Sequence, residues 1–156
     1  MITCESEARL LLVGATGEVG RLAAWELLGR GARLALAGRN ERGLSELAAL
    51  TGCPTHVLDA YDLDACAEAG PWALSALGRL DGVLVTVGVA GFGPAAEVPN
   101  AAAEHLMTVN ALCPMAVLRG AVSAVRDGGF LSRLRSRPWH AGSASWHERF
   151  ASGASP

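Results

Sequence analysis

The sequence contains no lysine: all 13 of its Lys/Arg-type basic residues are arginine. Tyr61 is its only tyrosine. A phenol with its ordinary pKa of about 10 is a poor base at neutral pH unless a nearby cation assists it. The absence of lysine therefore leaves Tyr61 without a lysine ammonium that could serve as this cation.

Other features in short supply exclude broad classes of protein. The net charge of −2 gives no indication of a general nucleic-acid binder. The four cysteines include no Cys-x-x-Cys pair, and we interpret them as buried thiols in a reducing compartment rather than disulfides. No apolar run approaches the roughly 18 residues of a membrane span, and residues 1–7 do not resemble a signal peptide. We therefore expect a cytoplasmic protein with no nucleic-acid or membrane partner.

The segment from residue 9 to residue 39 carries the clearest pattern. A buried strand over 9–13 leads directly into a glycine-rich turn, a helix over 18–30 and a second buried strand over 33–37. This layout binds dinucleotide pyrophosphates, because glycines let backbone approach the phosphates and the helix start offers free N–H groups. We predict cofactor contacts by Gly14, Thr16, Gly17, Glu18, Val19 and Gly20. The alternative is a purely structural turn, and Thr16 could equally stabilise that turn.

The remaining chain continues to alternate helices with strands, which predicts one Rossmann-like α/β fold: a doubly wound parallel sheet, truncated, with helices on both faces. In the first helix we expect an inward face that includes Val19, Leu22 and Leu27. The other predicted elements are a helix over 41–50 capped by Asn40 with Leu44, Leu47 and Leu50 inward, a strand over 55–58, a helix over 62–77 interrupted at Gly70–Pro71, a strand over 83–87, a glycine-rich loop over 88–94, and a helix over 100–126 crossed by Pro114.

Four residues beyond the glycine turn are further site candidates. Arg39 follows the second strand where NAD sites usually carry a carboxylate, which favours NADP over NAD unless it is simply a solvated arginine. Asp59 ends the third strand and could meet an adenine edge or serve as a turn aspartate. Gly88 ends the fourth strand and offers backbone access beside a cofactor, or is only a turn glycine. Asn110 lies in a largely apolar helix, where a carboxamide is costly unless partnered. We interpret His105, on the same helix, as a surface or satisfied histidine.

These ordered features together resemble the short-chain dehydrogenase/reductase family over about residues 8–129. The segment from Gly14 to Arg21 is similar to the nucleotide turn of that family, and Gly38–Arg39 to its NADP-type strand end. Asp59 resembles the adenine-contacting aspartate, and residues 81–88 align with the fourth strand and its Asn-Asn-Ala-Gly signature. Val109–Asn110 resembles the helix asparagine that supports a proton-relay water. The resemblance implies hydride transfer between NADP and a carbonyl or alcohol substrate, and self-association through the helix over 100–126.

The departures from the family pattern are also clear. The glycine spacing, with Glu18 where the main branch has its middle glycine, is nearer the extended and atypical branches. Val85 and Thr86 replace the paired asparagines, which puts the strand-ordering role of those side chains in doubt. The family's catalytic tyrosine and the lysine four residues later have no match, since Tyr61 follows the third strand. Neither Ser143 nor Ser145 can be matched to the catalytic serine, so only Asn110 of the catalytic group carries over.

The last 26 residues differ from the rest, with four arginines against one acidic residue and two of the four tryptophans. No helix or strand template fits them, so we predict a nucleotide-binding domain over 1–130 and a poorly ordered tail over 131–156. His140 and His147 lack further ligands, and no metal site is predicted. A shifted reading frame near Phe130 is one hypothesis, because shifting permissible codons for Leu131–Arg135 by one base can yield Ser-Ala-Val-Ser-Gly, which resembles the family's serine strand.

Three functions remain open from the sequence. The chain could be an NADP-dependent oxidoreductase unit that is inactive alone, a non-catalytic nucleotide-binding module, or an unstable truncated or frameshifted product. The family's substrate-shaping segments are the ones replaced, so the carbonyl or alcohol substrate stays unidentified and assembly into a homo-oligomer is in doubt.

Overall fold

The computed structural model describes residues 7–91 and 93–134, which fold as a parallel sheet with helices on both faces. The strand order is β3-β2-β1-β4-β5. This confirms the predicted Rossmann-like α/β fold. The elements are β1 Arg9–Val13, α1 Glu18–Gly29, β2 Arg33–Gly38, α2 Glu41–Thr51, β3 Thr55–Val57, α3 Leu63–Leu77, β4 Gly82–Val85, a short 3₁₀ turn Ala95–Glu97, α4 Asn100–Met107, a π-helical turn Thr108–Leu112, α5 Cys113–Ala121 and β5 Phe130–Arg133.

The sheet is buried on both faces, as the uninterrupted apolar runs predict. Leu12 of β1 lies between Leu36 of β2 and Leu84 of β4 in the hydrogen-bonded register. Alternate residues of each strand point to opposite faces. The helices α1 and α2 cover a cluster that includes Leu10, Leu12, Leu34, Leu36, Leu44 and Leu47. The helices α3 and α5 cover the opposite cluster, which includes Leu11, Val13, Ala35, Ala37, Val83 and Val85.

Side-chain caps define where two helices begin. The Asn40 carboxamide oxygen accepts a hydrogen bond from the Gly43 N–H at 3.0 Å, which confirms the predicted cap of α2. The Asp62 carboxylate accepts from the Ala65 N–H at 2.9 Å and caps α3 in the same way. These short-range bonds fix the register of helices whose inward faces then pack on the sheet.

The predicted inward faces were partly wrong. Leu22 is 72% exposed and Leu50 is 71% exposed, and Val19 also faces solvent. In α1 the buried positions are Gly20 and Ala24. The helix approaches the sheet so closely that small residues occupy the contact line, and larger apolar residues are displaced to its flanks. Periodicity alone ranked these positions by hydrophobicity and missed the effect of size.

Pro71 does not interrupt α3, which is continuous from Leu63 to Leu77. The proline lies on the exposed side of the helix. Because proline has no N–H, the Ala67 carbonyl four residues earlier loses its usual intrahelical donor. The predicted break was therefore wrong.

The long helix predicted over 100–126 runs from Asn100 to Ala121, with a π-helical turn in its middle, and Pro114 lies in the first turn of α5. By length and mean hydropathy (1.3) this helix could cross a membrane, a test that core helices of soluble proteins also pass. Cys113, Ala116, Val117 and Ala121 are buried in the cluster shared with α3. The C-terminal part of this helix, α5, therefore packs in the core of the fold, whereas α4 has no buried residue.

The observed bounds of β4 and β5 differ from what the sequence predicted. β4 ends at Val85, so Gly88 lies three residues beyond it rather than at its end. β5 pairs in parallel with β4, with Ser132 opposite Leu84, in a segment where no strand was expected. The strand crosses the predicted boundary at residue 130. The proposed tail from residue 135 onward, with His140 and His147, lies outside the described residues.

Candidate functional site

A cleft of about 420 Å³ opens at the carboxyl ends of β1, β2 and β4. This is the edge of a parallel sheet where ligands bind, between strands whose connections run in opposite directions. The structure brings six of the predicted site residues to this one cleft. They are Gly14, Thr16, Gly17, Arg39, Asp59 and Gly88.

The glycine turn between β1 and α1 needs its first glycine for two reasons. Gly14 has a φ of +91°, which favours glycine. A Cβ at this position would also lie 2.7 Å from the Thr86 hydroxyl oxygen and 3.0 Å from the Val87 amide nitrogen. The Gly14 and Ala15 N–H groups both donate to the Ala37 carbonyl, at 2.8 and 3.1 Å. The turn is thereby fixed to β2 and leaves the cleft open above it.

Gly20 contributes through packing rather than by bordering the cleft. A Cβ on Gly20 would lie 2.0 Å from the Gly14 carbonyl oxygen and 3.0 Å from the Ala15 Cα. Only glycine lets the first turn of α1 lie this close to the end of β1. The side chains of Glu18 and Val19 are exposed and do not border the cleft. Any contact these two residues make with a ligand would therefore come from their backbone.

The N-terminus of α1 is open to an anion. Its N-cap residue, Gly17, supplies no side-chain cap, and the N–H groups of Glu18, Val19 and Gly20 donate to no acceptor in the described residues. The first N–H groups of a helix need a partner, and together with the helix dipole they favour a negatively charged one. The Thr16 hydroxyl, also without a hydrogen-bond partner in residues 7–91 and 93–134, borders the same cleft.

Arg39 stands where β2 meets the cleft. Its side chain is exposed, borders the cleft and makes no ion pair or hydrogen bond within the described part of the chain. The carboxylate that would select a ribose 2′-hydroxyl is absent from this strand end, where Gly38, Arg39 and Asn40 follow one another. The free guanidinium suits a phosphate at this position.

Asp59 and Tyr61 follow β3 on one side of the cleft. An Asp59 carboxylate oxygen accepts from the Tyr61 N–H at 3.0 Å, so the turn role of Asp59 is present, while its exposed carboxylate still borders the cleft. The Tyr61 hydroxyl hydrogen-bonds the His105 Nδ1, and the two rings stack with centroids 5.8 Å apart. Thus His105 is a satisfied histidine, as expected. The bridge itself was missed, because its partners are 44 residues apart.

Asn110 holds the loop that follows β4. Its carboxamide oxygen accepts from the Val89 N–H at 2.9 Å, and its carboxamide N–H donates to the Val89 carbonyl at 2.8 Å. The costly polar group in an apolar helix is therefore paired. Gly88 borders the cleft beside this anchor, and a Cβ there would lie 3.3 Å from the Asn110 oxygen. Asn110 thus holds the backbone of Gly88 and Val89 at the cleft, although Asn110 itself does not border the cleft.

Thr86 ties the end of β4 to the end of β1. Its N–H and its hydroxyl both donate to the Val13 carbonyl, at 2.8 and 2.9 Å. The replacement of the asparagine pair therefore leaves a residue that still joins these two strands. This role was not visible in the sequence, since the two residues are 73 positions apart.

Two thiols lie close together beneath the cleft. Cys113 borders the cleft, and its Sγ is 3.7 Å from that of Cys66. The hydrogen bond from Cys66 lowers the pKa of the Cys113 thiol despite the burial of that group, and the same contact, together with burial, raises the pKa of Cys66. No group of three or more potential metal ligands occurs in residues 7–91 or 93–134.

Comparisons with known proteins identify the family to which this fold belongs. Residues 14–138 match a family model described as enoyl-(acyl carrier protein) reductase. An uncharacterized oxidoreductase, recorded in two strains of Mycobacterium tuberculosis, is 37% identical over 123 residues, which are 77% of this chain and 46% of the relative. The chain belongs to the short-chain dehydrogenase/reductase family, and it spans about half the length of the curated relatives it matches.

Solved structures of the same fold align with most of this chain and with just over half of their own length. A short-chain dehydrogenase/reductase of Brucella melitensis has a TM-score of 0.76 and 24% identity, with 84% of this chain and 59% of the other aligned. A short-chain dehydrogenase of Shigella flexneri, complexed with NADP, has a TM-score of 0.70 and 27% identity over 81% of this chain and 58% of its own. A blue fluorescent protein from a metagenomic library, in complex with NADPH, has a TM-score of 0.71 and 23% identity, with coverage of 83% and 56%.

Proposed function

We propose that this chain binds NADP(H) at the cleft and is the nucleotide-binding part of an oxidoreductase that acts on a small carbonyl or alcohol compound. The uncapped N-terminus of α1 carries the proposal, because its unpaired N–H groups follow directly on Gly14, Thr16 and Gly17, which border the cleft. Two structural neighbours whose complexes contain NADP or NADPH support the choice of cofactor. When bound, the nicotinamide would supply or accept the hydride.

Different residues in and beside the cleft would bind different parts of the cofactor. The free N–H groups at Glu18 and Val19, together with the Thr16 hydroxyl, would hold the pyrophosphate. Arg39 would hold the 2′-phosphate, and the Asp59 carboxylate would meet the adenine edge. The loop at Gly88, held by Asn110, would support the nicotinamide half with backbone. Each of these groups lacks a competing protein partner or retains a free polar atom.

Arg39→Ala should weaken NADPH binding about 10- to 100-fold and leave NADH binding unchanged. A charge-assisted hydrogen bond to a phosphate is worth about 1.5–3 kcal/mol, and NADH has no phosphate at this position. Fluorescence titration of the purified chain with each nucleotide measures both affinities. Arg42→Ala is the matched control, because Arg42 is a nearby exposed arginine that pairs with Glu46 and does not border the cleft. Equal losses for NADPH and NADH, or equal effects of both substitutions, would contradict the assignment.

We further propose that residues 1–156 alone do not oxidise NADPH. The sequence has no lysine to lower the pKa of a tyrosine, and Tyr61 bonds His105 at the rim of the cleft. The expected result is saturable binding with no turnover above buffer across a panel of aldehydes and ketones, followed by NADPH absorbance. Sustained NADPH consumption that depends on both protein and substrate would refute this proposal.

The same titration and a melting curve separate the alternative functions. A non-catalytic nucleotide-binding module gives a cooperative melt and saturable binding without turnover. An unstable truncated or frameshifted product gives neither a cooperative melt nor saturable binding. The described residues form two buried clusters around a hydrogen-bonded sheet, which favours a chain that folds and binds. We also propose a cytoplasmic location and a nucleotide-binding domain over 1–130. If the chain self-associates, the helix over 100–126 is the proposed contact.

A further inference from the structure

The thiol pair beneath the cleft is fully buried between two helices. Cys66 of α3 and Cys113 of α5 are 0% and 1% exposed, and their sulfurs lie 3.7 Å apart. Neither residue takes part in the proposed binding of a nucleotide. Nearby sulfurs on facing helices have one evident shared chemistry, which is the formation of a disulfide bond.

The two helices pack at backbone distance, which holds the sulfurs together. A Cβ added to Gly70 would lie 2.6 Å from the Cα of Ala121, and one added to Gly120 would lie 2.0 Å from the Ala67 carbonyl oxygen. Larger residues at these two glycines would separate α3 from α5. A disulfide requires its two sulfurs at about 2.05 Å, so each must move by less than an ångström from its present place.

The thiols differ in chemistry and in access. Cys66 donates a hydrogen bond to the Cys113 sulfur, which lowers the pKa of Cys113 and favours its thiolate. Cys113 also borders the cleft and Cys66 does not, so the route from the cleft to the buried pair passes Cys113. The Cys66 sulfur lies 3.5 Å from the Asp59 carbonyl oxygen, and Cys66 itself does not border the cleft. Cys113 is thus suited to attack and Cys66 to resolve.

We propose that Cys66 and Cys113 are a redox modification site that a hydroperoxide converts to an intramolecular disulfide. The Cys113 sulfur attacks one peroxide oxygen, the O–O bond breaks, and the thiol proton passes to the leaving oxygen to give water or an alcohol. The Cys66 sulfur then attacks the resulting sulfenic acid, and the hydroxyl group leaves as water with the Cys66 proton. The two sulfurs together lose two electrons, which reduce the peroxide.

The disulfide would join the helices under the floor of the cleft. It would connect residues 47 positions apart and restrict the unfolded chain, so the oxidised protein should melt at a higher temperature. It would also remove the Cys66 thiol from the Asp59 carbonyl, at the strand end that borders the cleft. Oxidation of the thiol pair would therefore change a contact of Asp59, a residue that borders the proposed nucleotide site.

The test is peptide mapping of the purified full chain after treatment with hydrogen peroxide. Remaining thiols are blocked with N-ethylmaleimide in urea, and the non-reduced digest is analysed by mass spectrometry. We expect one dominant linked pair, Cys66 with Cys113, that dithiothreitol removes, and a rise in melting temperature that reverses with it. Protein oxidised after unfolding in urea should give mixed pairings instead.

Single substitutions sharpen the result. Cys53→Ser is the matched control, since Cys53 is another buried cysteine and has no thiol partner among residues 7–91 and 93–134. This substitution should leave the linked pair unchanged. Cys113→Ser should abolish the link and leave Cys66 unmodified, whereas Cys66→Ser should leave Cys113 to oxidise further. A native map dominated by other pairs, or by over-oxidised Cys113 with no link in the unsubstituted chain, would overturn the proposal.

A second measurement rests on the proposed NADP(H) site. Saturating NADPH should slow disulfide formation several-fold, because it would cover the side of the cleft on which Cys113 lies. If the titration shows binding but the rate of linkage is unchanged, access through the cleft is wrong. If the titration shows no binding, the proposed function fails while the peptide map still decides the disulfide.

Discussion

Gly20→Ala is expected to abolish saturable NADPH binding and to lower the free energy of unfolding by about 3 kcal/mol. An alanine inside a helix normally stabilises it by about 0.5–1 kcal/mol relative to glycine. Here the added methyl would lie 2.0 Å from the Gly14 carbonyl oxygen and 2.8 Å from its carbon. These are backbone atoms, so no side-chain rotation relieves the contact, and α1 must move away from the turn. Urea denaturation and the NADPH titration measure the two effects.

Gly29→Ala is the matched control in the same helix. No atom lies within 4 Å of a Cβ at Gly29, and its backbone is in an ordinary helical region. This substitution should raise stability by up to about 1 kcal/mol and leave NADPH affinity unchanged. If Gly20→Ala also left both quantities unchanged, the close contact of α1 with the turn would not be what shapes the site.

Asp81→Asn is expected to destabilise the fold by about 2–3 kcal/mol without changing NADPH affinity in the folded protein. The buried carboxylate accepts hydrogen bonds from the Arg9 N–H at 2.8 Å and from the Arg79 guanidinium at 2.9 Å, and it also pairs with Arg126. An amide would present two N–H groups to some of these donors. Asp81 immediately precedes β4, at the sheet edge opposite the cleft, so binding serves as an internal control.

The effect of Asp81 should depend on pH. Burial alone would raise its pKa, but the hydrogen bonds from Arg79 and the Arg9 N–H and the charges of Arg79 and Arg126 outweigh burial and lower the pKa below its ordinary value. A lowered folded-state pKa gives stability that is complete above the unfolded value of about 3.9 and is lost as pH falls below it. The gap in stability between the natural chain and Asp81→Asn should therefore be full at pH 7 and should narrow below about pH 4.

Glu46→Gln provides the comparison for an exposed carboxylate. Its side chain is 52% exposed and pairs with Arg42 at 3.2 Å and Arg21 at 3.8 Å. Exposed ion pairs contribute less than about 1 kcal/mol, so this substitution should change stability little. If Glu46→Gln lowered the free energy of unfolding as much as Asp81→Asn, burial would not determine how much each carboxylate contributes to stability. Urea denaturation at neutral pH compares the two variants directly.

The strands and the glycine turn could be predicted because they depend on local sequence. The apolar run of β1 needs no partner to be recognised, and Gly14, Gly17 and Gly20 follow it at once. The position of Arg39 then follows from the length of one helix and one strand. In contrast, β5 was missed, because its residues Phe130, Leu131 and Ser132 are exposed at the sheet edge and carry no burial pattern. An edge strand is specified by its neighbour more than by its own residues.

The contacts between distant residues could not be predicted from local patterns. Tyr61 meets His105, and Thr86 meets the Val13 carbonyl, because the right-handed crossovers bring strand ends and helix α4 to one edge. A position just after a buried strand was a usable signal for Tyr61, but nothing in the spacing named its partner. The exposed Leu22 shows the converse, since hydrophobicity marks a candidate for burial and the separation of the packed elements decides it.

The order β3-β2-β1-β4-β5 has a consequence for how this family can change. The chain leaves β1 towards one flank of the sheet and leaves β4 towards the other, so the recess between them is made by the route of the main chain. Substitutions that remove proton-handling side chains leave that route intact. In a protein with this strand order, nucleotide binding and catalytic activity can therefore be gained or lost independently.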